Sequence, residues 1–151
     1  MPDKKTTQRA RRDKREGKSA STQAGEFVKD EINKIRRGKH GARSTKQAIA
    51  IGLSEARRAG VDLPPPKKGQ TSERSRKNAE RAYEAGQSGK HKKPNSKRSR
   101  ASTKALKREG RSAASHASLS KQAKTQSRTR TAQERSEIAK KAARTRAKHG
   151  K

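Results

Sequence analysis

The residues best equipped to do chemistry in this 151-residue chain are its cations. Lysine and arginine number 44 against 14 aspartates and glutamates, a formal net charge of +30. They gather as Arg9, Arg11 and Arg12, then as Lys92, Lys93, Lys97, Arg98, Arg100, Lys104, Lys107 and Arg108, and last as Arg128, Arg130, Lys140, Lys141, Arg144, Arg146 and Lys148. Ammonium and guanidinium groups at this density neutralise phosphates and release condensed counterions, largely without regard to sequence. These residues are the predicted phosphate contacts. Phe27 and Tyr83 are the only aromatic residues. Base stacking, the usual device of single-strand binders, is therefore a poor option, and the backbone of a duplex or of structured RNA fits better.

Other chemistry is not visible in the sequence. His40, His91, His116 and His149 are scattered, and there is no cysteine. No metal site and no cofactor are expected. No Gly-rich loop follows a strand, so no nucleotide fingerprint is present. No nucleophile stands at a recognisable spacing from a base and its orienting partner. The chain reads as a non-enzyme with no small-molecule substrate. Asp30 and Glu31 read as a solvated helix face, with Lys34 as the i+4 partner.

The elements that must carry these cations are helices. Hydrophobic residues are only 24% of the chain, well short of the globular norm of roughly 45–50%. Most of the sequence reads as too polar to bury a core. The clearest helix is Ser44 to Gly60. Ser44 and Gln47 fit a capping box, and Ala48, Gly52, Ala56 and Ala59 share a stripe with Ile49 and Leu53. Arg57 and Arg58 suit the dipole of its last turn, and Gly60 the left-handed C′ position. An earlier helix is predicted over 24–37, with Ala24, Val28, Ile32 and Ile35 on one stripe and Phe27 at its edge. The link GKHGAR (38–43) joins the two.

The expected fold is all-α. A small helical hairpin over 24–63 has Val28, Ile32, Ile35, Ile49 and Leu53 at its core. Phe27, Val61 and Leu63 complete that core. Long, largely disordered basic arms flank the hairpin. Residues 1–23 form a disordered arm of net charge +5, and 64–71 form a Pro-rich linker. Residues 72–151 form an Ala/Lys/Arg/Ser-rich tail, and the charge from 64 to 151 is +21. Transient helices at most are predicted at 72–85 (stopped by Gly86), 99–109 and 131–148. Thr131 and Glu134 make a second capping box. The hairpin core is small enough that a partner chain or a bound nucleic acid is expected to complete it. The long glycine-rich link and the lack of a third apolar helix weigh against a DNA-reading helix-turn-helix.

The stretch GEFVKDEINKIRRGKHGARSTKQAIAIGLSEARRAGVDLPPPKKG (25–69) resembles an uncharacterised family of small, very basic bacterial proteins. That family carries a KHG…SKQAIAIALSEARKAG-like core and occasional automatic labels such as DNA-binding or plasmid stabilisation. The resemblance is specific over 38–60, and SKRSRASTKALKREGRSAASHASLSKQA (96–123) and AKKAARTRAKHG (139–150) look like longer members. It implies a bacterial cytoplasm and brings no activity. In composition alone the tail resembles histone H1-like bacterial proteins.

The functional expectation is a nucleoid-associated, sequence-independent DNA-binding polycation, with self-association through the hairpin. RNA or ribosome binding is the alternative within this class. A protein-interaction module, whose hairpin grips a partner and whose tail tunes localisation, is the alternative outside it. No apolar run approaches the length of a membrane span and the N-terminus has no apolar signal core, so no membrane role is expected.

Overall fold

The computed structural model describes residues 3–90 and 93–150. Among them are seven α-helices: α1 (Lys4–Arg15), α2 (Ala20–Arg36), α3 (Thr45–Arg58), α4 (Glu73–Ser88), α5 (Ser96–Arg108), α6 (His116–Thr129) and α7 (Ala132–His149), with a 3₁₀ turn at Ser112–Ala114. The chain divides into two units, one ending at Ser115 and the other beginning at His116.

The all-α class agrees with the sequence reading, but the long disordered arms do not exist as expected. Residues 4–15 are α1, packed against α2, and the segments beyond the hairpin are helical through α4 to α7. The sequence estimate failed because it counted large apolar side chains. This fold packs small ones. α1 turns Thr6, Ala10 and Asp13 inward, and α4 turns Ala79 and Ala82 inward. Alanine loses no side-chain entropy on burial and lets helices approach closely.

α1 starts at Asp3, whose side chain accepts from the Lys5 amide. It ends at Gly17, φ +72°, with the Gly17 amide donating to the Lys14 carbonyl and the Lys18 amide to Asp13. That is the paired C-terminal closure a left-handed glycine permits. Lys18 then clamps Asp13 at 2.8 Å and Glu16 at 2.7 Å. Burial of Asp13 is tolerable because this cation accompanies it.

α3 lies where its periodicity places it, whereas α2 begins at Ala20, four residues before the start expected, with Ser19 as its cap. Ser44 accepts from the Gln47 amide at 3.2 Å, but Gln47 Oε1 accepts from the Arg43 amide at 2.7 Å and not from that of Ser44, so only half of the expected capping box forms. Phe27 is not at the edge of the stripe. It is fully buried, in a cluster with Ala10, Ala24, Ala56 and Val61, edged by Leu53 and Leu63. Ile32 and Ile35 are buried, whereas Val28, Ile49 and Leu53 are half-buried. The reason is Gly52, which brings the two helix backbones so close that Ala48 and Ala56 fill the seam. The cover expected from a partner comes instead from α1 and α4 of the same chain.

Two further residues read differently in the structure. Gly86 does not stop α4, which runs on to Ser88 before Gly89 turns left-handed at φ +65°. Gly86 is a contact point instead: a Cβ there would overlap the Arg57 carbonyl oxygen. Arg57, read above only as suiting the dipole of its turn, is buried. Its Nε donates to the Leu63 carbonyl at 3.1 Å and its Nη2 to Pro64 at 3.3 Å. The Pro-rich stretch is thereby strapped back onto α3. Tyr83 of α4 donates to Asp62 at 2.6 Å and fixes the same segment from the other side.

Candidate nucleic-acid interface

α5 concentrates the chemistry singled out in the sequence. Asn95 caps it by accepting from the Arg98 amide at 3.1 Å, so it begins three residues before the Ser99 expected. It contains Lys97, Arg98, Arg100, Lys104, Lys107 and Arg108 and no acidic residue. Every residue of the helix is exposed except Leu106, which is half-buried. Open furrows run between its own side chains. One of about 490 Å³ is lined by Ser99, Arg100, Thr103, Lys104, Lys107 and Arg108. Its walls all belong to one helix, so it is a ridged basic surface and not a concavity for a small molecule.

The C-terminal end of α5 is held by the α2–α3 loop. The Gly41 amide donates to the Leu106 carbonyl at 2.9 Å and the Ala42 amide to Gly110 at 3.1 Å. A Cβ on residue 41 would overlap the Glu109 carbonyl oxygen, so only glycine allows this approach. Just beyond, the 3₁₀ turn is tied to the helix pair. Thr45 Oγ1 donates to the Ala113 carbonyl at 2.7 Å and Arg36 Nε to Ala114 at 2.8 Å.

Under this joint lies a charged cluster. Glu31 is not on a solvated face; it is 1% exposed. His40 Nε2 stands 3.4 Å from its Oε1, while His40 Nδ1 lies 3.0 Å from the Gly41 carbonyl. With Nδ1–H donating to Gly41, Nε2 faces the carboxyl, and the two attract as opposite charges only when the ring is protonated. Burial pushes the Glu31 carboxyl above its ordinary range. His40 and Lys34 pull it back, and Glu55 and Asp30 push it further up. Lys34 reaches Asp30 at 2.9 Å, the i+4 pair read from sequence, and Glu55 at 3.5 Å. Burial alone would lower the Lys34 ammonium; its bond to Asp30 and the charges of Glu55, Asp30 and Glu31 outweigh that and raise it. Among the described residues no group of three or more His, Asp or Glu is arranged to hold a metal ion.

Residues 5–68 match the model of a family of unknown function, DUF6496. No curated protein and no solved structure matches the chain. The matched residues take in nearly all of α1, then α2, α3 and the strapped Pro-rich segment. They therefore include the Gly41 loop that receives α5, but not α5 itself.

The remaining predicted contacts fall into distinct settings. Arg9 is not free for phosphate. Its Nε pairs with Glu26 at 2.6 Å and its Nη2 donates to Thr6 at 3.1 Å, which ties α1 to α2. Arg11 is exposed, and Arg12 is exposed beside Glu16 at 3.7 Å. Lys93 is exposed just before α5, and Lys92 lies outside the described residues. In the second unit Arg128 ends an acid-free stripe of α6, with Lys121 and Lys124 on an arc of roughly 60°. Arg130 follows α6 in the turn before the Thr131 capping box, in which both reciprocal bonds form. Lys140, Lys141, Arg144 and Lys148 share an arc of roughly 100° on α7, with Glu137 among them and Arg146 on the other side. α6 carried no large apolar stripe and escaped the sequence reading. The mount of α5 escaped it too, because it joins residues some 65 positions apart, Gly41 to Leu106.

Proposed function

We propose that this protein is a non-enzymatic, sequence-independent DNA-binding polycation acting by phosphate neutralisation, nucleoid-associated in a bacterial cytoplasm. The observation that carries this reading is α5, an exposed helix with six cations and no acid, mounted on a packed bundle. Cations without neighbouring carboxylates keep their full attraction for phosphate, whereas those of α1 and α4 are partly spent on Glu26, Glu16, Glu73 and Glu80. Between Glu84 and Glu134 the sole acidic residue is Glu109, which extends the same character through α6. Such a surface positions itself on a backbone and reads little of the bases. The resemblance of residues 38–60 to small, very basic bacterial proteins supports the cellular setting.

The test is recovery of the full-length protein from bacterial lysate, with and without nuclease. Co-purifying nucleic acid that DNase removes and RNase spares is the expected result. Protein free of nucleic acid at low salt, bound instead to a single protein partner, would favour the interaction-module reading and overturn this one.

A further inference from the structure

We propose that α5 enters the major groove of B-form duplex DNA with one basic half of its cylinder, held at its C-terminal end by the Gly41–Ala42 backbone. This rests on the nucleic-acid reading above and narrows it to one duplex form and one mode of docking.

The first ground is the distribution of charge around the helix. At 100° per residue, Lys107, Arg100, Lys104, Lys97 and Arg108 fall within about 100°, and Arg98 lies about 80° beyond them across Ala101 and Ala105, so all six share one half of the cylinder. Ser102, Leu106, Ser99, Thr103 and Ser96 fill the other half, which carries no charge. A helix lying along a single phosphate strand needs only a narrow stripe of cations. A half-cylinder of charge matches phosphates arriving from two sides, as in a groove, with Lys107 and Arg100 toward one wall and Arg98 toward the other.

The second ground is size. Apart from its cations and Leu106, α5 consists of serine, alanine and threonine, and Ala101 and Ala105 lie within the basic half. Its body is therefore thin. A helix of about 10–12 Å diameter fits a B-form major groove of about 12 Å, but not a minor groove of about 6 Å. The major groove of A-form RNA is deep and too narrow to admit side chains.

The third ground is the mount. Leu106, the one half-buried residue of α5, belongs to the uncharged half, and its carbonyl accepts from Gly41. The helix is thus anchored at its C-terminal end, with only Leu106 of the uncharged half turned inward, which leaves the basic half and the N-terminal turns free to dock. At about 1.5 Å per residue its length is roughly 20 Å, over half a turn of the duplex at about 34 Å.

The experiment uses full-length protein and three probes of equal length and charge. They are a DNA duplex, the same DNA with bulky glucosylated hydroxymethylcytosines filling the major groove, and an RNA duplex of the same sequence. Both the blocked DNA and the RNA should bind about tenfold more weakly than plain DNA at equal salt. Ala101→Glu, in the basic half, should weaken DNA binding about tenfold, while Ser99→Glu, the same charge change on the other half, should stay within about twofold. Equal affinity for plain DNA and either competitor probe overturns the groove mode while leaving phosphate binding intact. Equal losses from the two glutamates overturn the assignment of the docking half. Absence of salt-sensitive binding to every probe removes the underlying nucleic-acid reading as well.

Discussion

Gly52 of α3 lies against the backbone of Val28 in α2. A Cβ at position 52 would stand 2.7 Å from the Val28 Cα and 2.9 Å from its amide nitrogen. In an exposed helix, glycine-to-alanine gains about 1 kcal/mol. Here the added methyl meets main chain, which cannot swing aside. Overpacking of this kind costs about 1–3 kcal/mol, so Gly52→Ala should be destabilising on balance. Chemical denaturation of the variant checks the sign, and a rise in stability would mean the helices are not in backbone contact.

Arg57 holds the Pro-rich strap. Arg57→Ala removes both side-chain bonds to the Leu63 and Pro64 carbonyls and should cost about 1.5–3 kcal/mol. Arg58 is exposed in the same turn, and Arg58→Ala should stay within about 0.5 kcal/mol. Equal midpoints for the two variants in a urea titration would show that the strap adds nothing to folding.

The mount of α5 can be tested without touching a cation. Gly41→Ala forces a methyl onto the Glu109 carbonyl. Amide exchange should quicken at residues 41 and 42, while the amides in the middle of α2 and α3 stay protected. Unchanged protection at those two amides would contradict the joint as described.

Glu31 gives the fold a pH dependence of defined sign. Its carboxyl is raised by burial above the ordinary 4.5. The folded state therefore holds that proton more tightly than the unfolded chain. The stabilisation is complete below 4.5 and is lost as pH rises through the raised value. His40, Lys34, Asp30 and Glu55 all act on this carboxyl, so Glu31→Gln isolates its own part. Thermal midpoints from about pH 4 to about pH 8 should fall more steeply for the native chain than for the variant. Parallel profiles would mean that Glu31 titrates alike in both states.

Legibility in the sequence followed side-chain size. α2 and α3 were readable because Ile32, Ile35, Ala48 and Ala56 recur at helical spacing and Ser44 marks a start. α1 was not, because its inward residues are Thr6, Ala10 and Asp13, which carry no hydropathic signal until Phe27 and Ala24 are known to lie opposite. The same spacing of small residues, three and four apart, was the available clue. Gly86 looked like a helix stop because a glycine needed for close approach and one needed for a left-handed turn are the same letter. Arg57 read only as a cation suited to the dipole of its turn, because the carbonyls it binds belong to a proline run with no periodicity. The charge of α5 was plain in the sequence, whereas the half-cylinder appeared only once Asn95 fixed where the helix begins.

The most direct test of the central claim is a titration of two unrelated DNA duplexes of equal length at four salt concentrations. If α5 engages about six phosphates, log affinity should fall with log salt at a slope of about −5, steeper if α6 and α7 also bind. The two duplexes should give the same line. A shallow slope, or a preference for one duplex that survives high salt, would contradict binding by phosphate neutralisation.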